Sequence, residues 1–212
     1  MRLAALLLGL SALALVACPK APVVVKHRVH HVQPGLLTRV AVAPFVPSRS
    51  FVRAGPEGES GAVAADLVAR FLTEALRERG VDAIAPNDLL IAAEGSGIVL
   101  PRQDPHAVAV LAAREFGATA VVLGVVNRYR ERSGEALGST HPASVHFEWT
   151  FHEAPSGLPV WSAHFDQTQP TVTADPLLAR QYPGYGTRFL TAAELARWGV
   201  ARALDEMPEG LR

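Results

Sequence analysis

One cysteine, Cys18, stands in 212 residues. No internal disulfide can form, and no Cys-based zinc site can be built. The chain also lacks an excess of either charge. Lys plus Arg and Asp plus Glu are 20 each, and removing residues 1–17 takes away only Arg2, leaving 19 against 20. A neutral chain has no electrostatic footprint for nucleic acid and no polybasic membrane patch, so nucleic acid is not expected among its partners. Catalytic signatures are missing as well. Gly95-Ser96-Gly97 has no preceding strand and no Lys-Ser/Thr ending, so it is not a phosphate-binding loop. No Gly-x-Ser-x-Gly nucleophile motif and no His-Glu-x-x-His pair is present. The expectation is therefore a non-enzyme, with no catalytic residue, no cofactor and no metal. The apolar run Leu3 to Val16 falls short of the roughly 20 residues of a membrane-spanning helix.

What that run does match is a secretory signal peptide: a positive start at Arg2, an apolar middle and small residues at the end. Leu15-Val16-Ala17-Cys18 resembles the bacterial lipobox, which implies that Cys18 is lipidated and becomes the first residue of the mature protein. Pro19 stands where aspartate would favour the inner membrane in lipoproteins of the enterobacterial type. This resembles the class sorted to the outer membrane, with the inner membrane left open. The expected division is a signal peptide at 1–17, a lipid-anchored tether at 18–37 and a single α/β periplasmic domain at 38–208. The tether has prolines at 19, 22 and 34 and the run Lys26-His27-Arg28-Val29-His30-His31. Pro-rich segments extend and hold a domain off its anchor. The three histidines have metal-donor chemistry, but the run reads as a solvated basic linker.

Hydrophobic residues are 49% and charged residues 19%, a globular composition rather than a disordered one. Its organising stretch is Ala143 to Gln167. Val145, Phe147, Trp149 and Phe151 alternate with His146, Glu148, Thr150 and His152. Beyond Glu153–Pro159, Trp161, Ala163 and Phe165 alternate with Ser162, His164 and Asp166. Period two predicts a hairpin of half-buried strands, with one aromatic face that helices must cover. Arg39–Val46 and Thr119–Val126 are nearly all apolar, as strands buried on both faces are. Pro44 should end the first of these. Between them, Ala64, Leu67, Val68, Phe71, Leu72, Ala75 and Leu76 form a helical stripe. Val81–Ala85 predicts a short strand and Asn87 the cap of a brief helix through Ala93. Asp104-Pro105 opens a helix that Gly117 ends, and Thr191 with Glu194 forms a capping box before a last helix. Strands alternating with helices, followed by a meander, predict an α/β (α+β) fold. Its single mixed sheet has about five strands, packed by three main helices and closing in an antiparallel β-meander.

Several of these stretches together resemble a known group. They are Arg-Val-Ala-Val-Ala-Pro-Phe, the helix through Leu76, Leu-Ala-Ala-Arg-Glu-Phe-Gly-Ala-Thr-Ala-Val-Val-Leu-Gly and Ser-Gly-Leu-Pro-Val-Trp-Ser. The group is the α/β periplasmic module of the curli secretion lipoprotein, the N-terminal domain of the Tol-system propeller protein and the lipoprotein activators of penicillin-binding proteins. The resemblance covers about residues 38–168. It implies an assembly or partner-binding role in the cell envelope rather than catalysis. It carries over no partner, because the 170–190 loop and the Trp198 helix lie outside it.

Two surfaces are candidates for that partner. Tyr182 and Tyr185 flank Pro183-Gly184 in a Pro/Gly-punctuated segment, and exposed tyrosines offer contact area at low rotamer cost. The other reading has these rings packed down on the sheet. Arg128, Arg130 and Arg132 fall on one strand face, either as a solvated charge-paired face or as an anion or acidic-partner surface. His146 and His152 are about 20 Å apart along one strand, too far for one metal, while His152 could meet His164. Glu148 and Asp166 read as solvent-facing strand residues. The competing function is a small-molecule or glycan-binding or hydrolytic lipoprotein using the polar sheet face. The expected partners are a membrane, through the N-terminal lipid, and another envelope protein; self-association is left open.

Overall fold

A computed structural model describes residues 25–31, 34–53, 58–100, 104–171 and 173–211. Cys18 and the signal segment lie outside the described residues. In chain order the strands and helices are β1 (Val25–Val29), β2 (Arg39–Val42), β3 (Val46–Pro47), α1 (Arg49–Arg53), α2 (Gly58–Glu78), β4 (Asp82–Ile84), α3 (Pro86–Gly95), α4 (Pro105–Phe116), β5 (Ala120–Arg130), β6 (Ser133–Glu135), β7 (Gly138–His141), β8 (Ser144–Glu153), β9 (Pro159–Thr168), α5 (Pro176–Ala179) and α6 (Ala192–Asp205). The class is the expected one, a mixed α/β fold. The sheet has seven strands rather than about five, in the order β1-β9-β8-β5-β2-β4, with β3 also on β5; β6 and β7 form a separate two-stranded hairpin. Pairing is parallel among β2, β3, β4 and β5 and antiparallel from β5 through β8 and β9 to β1.

The alternation of side chains divides the interior in two. Val40 and Val42 of β2, with Ala120, Val122 and Val126 of β5, face α2 and α6. Ala41 and Ala43, with Val121, face α3 and α4. Both faces of β2 and of the first half of β5 are thus buried, as their unbroken apolar sequences require. The chain leaves β2 before Pro44, which has no N–H to give a ladder. The aromatic face of the hairpin, Phe147, Trp149, Phe151, Trp161 and Phe165, is at most 2% exposed and lies under α2 and α6. The α2 stripe is buried except Leu67, which is half-buried.

Local chemistry explains the helix ends. Gly117 takes φ +62°, a left-handed turn that a β-carbon would strain, and stops α4. α3 begins at Pro86 and not after Asn87: proline with its preset φ takes the first helical position behind an extended Ala85. Thr191 Oγ1 accepts from Glu194 N at 3.1 Å, and Glu194 accepts from Thr191 N at 2.9 Å. Both Glu131 carboxylate oxygens accept from Ala192 N, at 3.2 and 3.0 Å, placing negative charge at the positive end of α6. Arg188 forks onto Glu194 at 3.0 and 2.8 Å. That guanidinium, followed by the Thr191 amide, pulls the Glu194 carboxyl down to about 2. A depressed carboxylate stabilises the fold above its unfolded value, near 4.5, and that stability is lost as pH falls through about 2. Wild type should therefore lose more melting temperature than Glu194→Gln between about pH 4.5 and 2. Equal losses would show that Glu194 is not coupled to folding. The carboxylate is 42% exposed, so solvent screening keeps the effect small.

The structure corrects the tether. Val25–Val29 pairs antiparallel with Phe165–Trp161 as an edge strand, and Leu36 and Leu37 are buried, so the folded unit begins before residue 38. Main-chain bonds to β9 do not depend on side chains, and no proline falls between residues 22 and 34 to interrupt them. Only Val25 is buried, and Lys26, His27 and Arg28 are exposed. Charged residues on an edge strand also discourage pairing with other chains. Ahead of the apolar stripe the chain forms α1 and the first turn of α2. No helix among the described residues is long and apolar enough to cross a membrane.

Candidate functional site

α3 and α4 cover chiefly the β4-β2-β5 half of their side of the sheet. On the β8-β9-β1 half the same side is polar, and α4 reaches it at β8. His146, Glu148, Thr150 and His152 of β8, Ser162, His164 and Asp166 of β9 and Lys26 and Arg28 of β1 stand here, since residues paired across a ladder point the same way. The flank of α4 and the segment around Pro44–Val46 border this face, leaving a concavity of about 560 Å³. Lys26, Arg28, Thr150, Ser162 and His164 line it, with Leu123 and Val125 of β5 as its apolar floor.

Register sets the chemistry. His146 lies opposite Asp166 and Glu148 opposite His164, so two imidazoles and two carboxylates form a checkerboard. Glu148 and Asp166 are thus not a carboxylate pair; each faces a histidine. His146 Nδ1 is 3.8 Å from Asp166 Oδ2, His164 Nδ1 is 3.7 Å from Glu148 Oε2, and the two rings meet edge-on with centroids 4.6 Å apart. Burial pushes the His146 ring below the ordinary imidazole range, with Asp166 opposing. The His152–His164 meeting that the sequence left open does not form. Instead His152 lies at the turn end, opposite Pro159, with its Nδ1 3.0 Å from Gly157 O. Burial lowers that ring too, and its role is to hold the loop.

The three arginines do not form one surface. Arg128 donates to Ser144 Oγ at 2.7 Å and pairs with Asp166 two strands away. Arg130 is exposed at the end of β5. Arg132 lies beyond the strand and donates to Gly134 O at 2.8 Å. For Arg128 the charge-paired reading holds. The tyrosine surface fails for Tyr182. This ring is 2% exposed, stacks on Trp198 at 4.4 Å and donates to Gln167 Oε1 at 3.1 Å. Burial raises its phenol well above the ordinary value. The Tyr185 side chain lies outside the described residues. Gln169 ties the same segment down: its Nε2 donates to Arg188 O at 2.7 Å and its Oε1 accepts from Leu190 N at 2.6 Å.

One arrangement on the open face has nucleophile chemistry. Ser162 Oγ is 3.1 Å from His30 Nε2. It lacks the rest of a catalytic set. No carboxylate pairs with the His30 ring among the described residues. β9 is paired on both sides, so its amides are spent in the ladders and none is left as an oxyanion donor.

No protein-family model matches the chain, and no curated protein matches it. Among solved structures it is similar to a subunit of the PelC dodecamer from Paraburkholderia phytofirmans, with 18% identity over 85% of this chain and 95% of that one and a TM-score of 0.49. It is similar to lipoprotein GNA1162 from Neisseria meningitidis, with 16% identity over 68% and 92% and a TM-score of 0.41. It is also similar to the LpoB C-terminal domain from Escherichia coli, with 13% identity over 63% and 84% and a TM-score of 0.40. Likenesses this distant carry no argument about function, which rests on the chain's own residues.

Proposed function

We propose that the chain is a non-catalytic, lipid-anchored protein of the bacterial envelope, on the periplasmic face of the outer membrane. Its α/β domain binds another envelope component through the open half of its sheet. The observation that carries this is the unequal covering of the sheet: α2 and α6 bury one side, whereas the other side is left polar and concave over β8, β9 and β1. A face built only for folding would be covered or uniformly solvated. This one holds a pre-formed charge pair, Arg128–Asp166, whose rigidity lowers the entropy cost of binding. Anchoring follows from Leu15-Val16-Ala17-Cys18. The concavity of about 560 Å³ also falls in the size range of small-ligand sites and favours a second reading, in which the bound component is a small polar molecule or glycan.

Both halves of the proposal are testable. Cys18→Ala should move the protein out of the membrane fraction or leave an uncut precursor; fractionation and gel mobility like wild type would refute lipidation. Thr150→Arg places a long cation in the concavity without entering the core. It should leave the melting temperature unchanged and abolish chemical crosslinks to envelope partners. A small sugar that protects Thr150 from solvent labelling while no protein crosslinks form would select the second reading.

A further inference from the structure

We propose that His146, His164 and Asp166 form a binding site for a divalent transition metal on the open face of the sheet. One donor atom from each lies within 4.8 Å of the other two. Zinc bonds of about 2.0–2.2 Å in tetrahedral geometry put donors about 3.3–3.5 Å apart. The His146 Nδ1 to Asp166 Oδ2 distance of 3.8 Å needs a few tenths of an ångström of contraction, and separations in the set reach up to 4.8 Å, which needs roughly an ångström more. The side chains of His146, His164 and Asp166 are 21%, 34% and 42% exposed, so they can move by that amount and a hydrated ion can reach them.

The donor set is selective. Two imidazoles and one carboxylate suit zinc, nickel, cobalt or copper, whereas magnesium and calcium prefer oxygen alone. The surroundings fit a ligand shell. Arg128 holds Oδ1 of Asp166 and leaves Oδ2 toward the histidines, as partners of ligating carboxylates do. Glu148 beside His164 adds a second negative charge, so the carboxylates outnumber the Arg128 cation. Lys26, across the ladder from His164, is exposed, and water screens its charge. Three protein donors leave the metal a fourth position, open to water or to a donor atom of a bound molecule, and His164 also lines the concavity. The site holds whether or not the face docks an envelope partner. Of the N-terminal histidines, His30 bonds Ser162 on the same face, and none of His27, His30 and His31 belongs to the donor set.

The test uses the full-length chain in detergent, stripped of metal by chelator. Calorimetric titration with Zn²⁺ and visible absorption with Co²⁺ should show one equivalent bound, and Zn²⁺ should raise the melting temperature. His146→Ala and His164→Ala should each weaken binding by about 100-fold or more, as loss of a ligand costs at least as much as loss of its outer partner. Asp166→Asn, which keeps the side-chain shape, should weaken it as well. Each variant should melt like wild type without metal, so that lost binding is not lost folding. A variant with His27, His30 and His31 all changed to Ala should still bind one equivalent. No uptake by wild type, uptake undiminished in His146→Ala and His164→Ala, or uptake lost only in the N-terminal variant would each overturn the site.

Discussion

Trp161→Ala should destabilise the domain by about 3–5 kcal/mol, the range for truncating a buried aromatic. Trp161 is fully buried, 5.6 Å from the Phe151 ring and directly across the ladder from it. A folded domain has only about 5–15 kcal/mol in all, so the variant should stand near the edge of folding. Trp149→Ala should cost about as much, because Trp149 stacks on Phe147 at 5.1 Å and tilts against Phe45 at 6.4 Å. Neither indole N–H has a hydrogen-bond partner among the described residues. Trp161→Phe removes that unpaired donor along with some volume, so it should cost clearly less than the alanine change. Chemical denaturation measures all three. Alanine variants as stable as wild type would mean that the aromatic face is not the energetic centre.

Tyr182→Ala should cost nearly as much, about 3–5 kcal/mol. The ring closes an aromatic chain that runs through Trp198 to Phe165 and Phe147, with centroid distances of 4.4, 5.9 and 5.1 Å. At the Phe165 link α6 comes close enough that a β-carbon on Gly199 would sit 2.7 Å from the ring. The array cannot slide to refill the space left by Tyr182. Tyr182→Phe keeps the stack and loses only the bond to Gln167, so its cost should be about 1 kcal/mol. If Tyr182→Ala melted like wild type and yet lost envelope crosslinks, the ring would be a partner contact after all.

Much of this architecture is written in local pattern. β8 and β9 follow from periods of two, the first half of β5 from its unbroken apolar run, α2 from its stripe, and the capping box from Thr191 and Glu194 three residues apart. The features that escaped depend on partners distant in sequence. Tyr182 sits in a Pro/Gly-rich segment whose sequence fits an exposed loop and a packed one alike, and the arrival of α6 with Trp198 decides for packing. β1 has a polar sequence because an edge strand needs main-chain partners more than apolar side chains; the Val23-Val24-Val25 run was its one signal. His146 and His164 meet because β8 and β9 pair Phe151 with Trp161, and the register then shifts before His152 and Pro159. A loop of Pro, Ser and Gly does not announce that register.

The central claim is that the open polar half of the sheet is the working face. Its most direct measurement is photo-crosslinking in the native envelope, with a photoreactive residue at Thr150 on that face or at the exposed Glu78 on α2. The account predicts a discrete adduct from position 150 that is absent from position 78 and disappears when Cys18→Ala detaches the chain. A discrete adduct from position 78, with none from position 150, would contradict it.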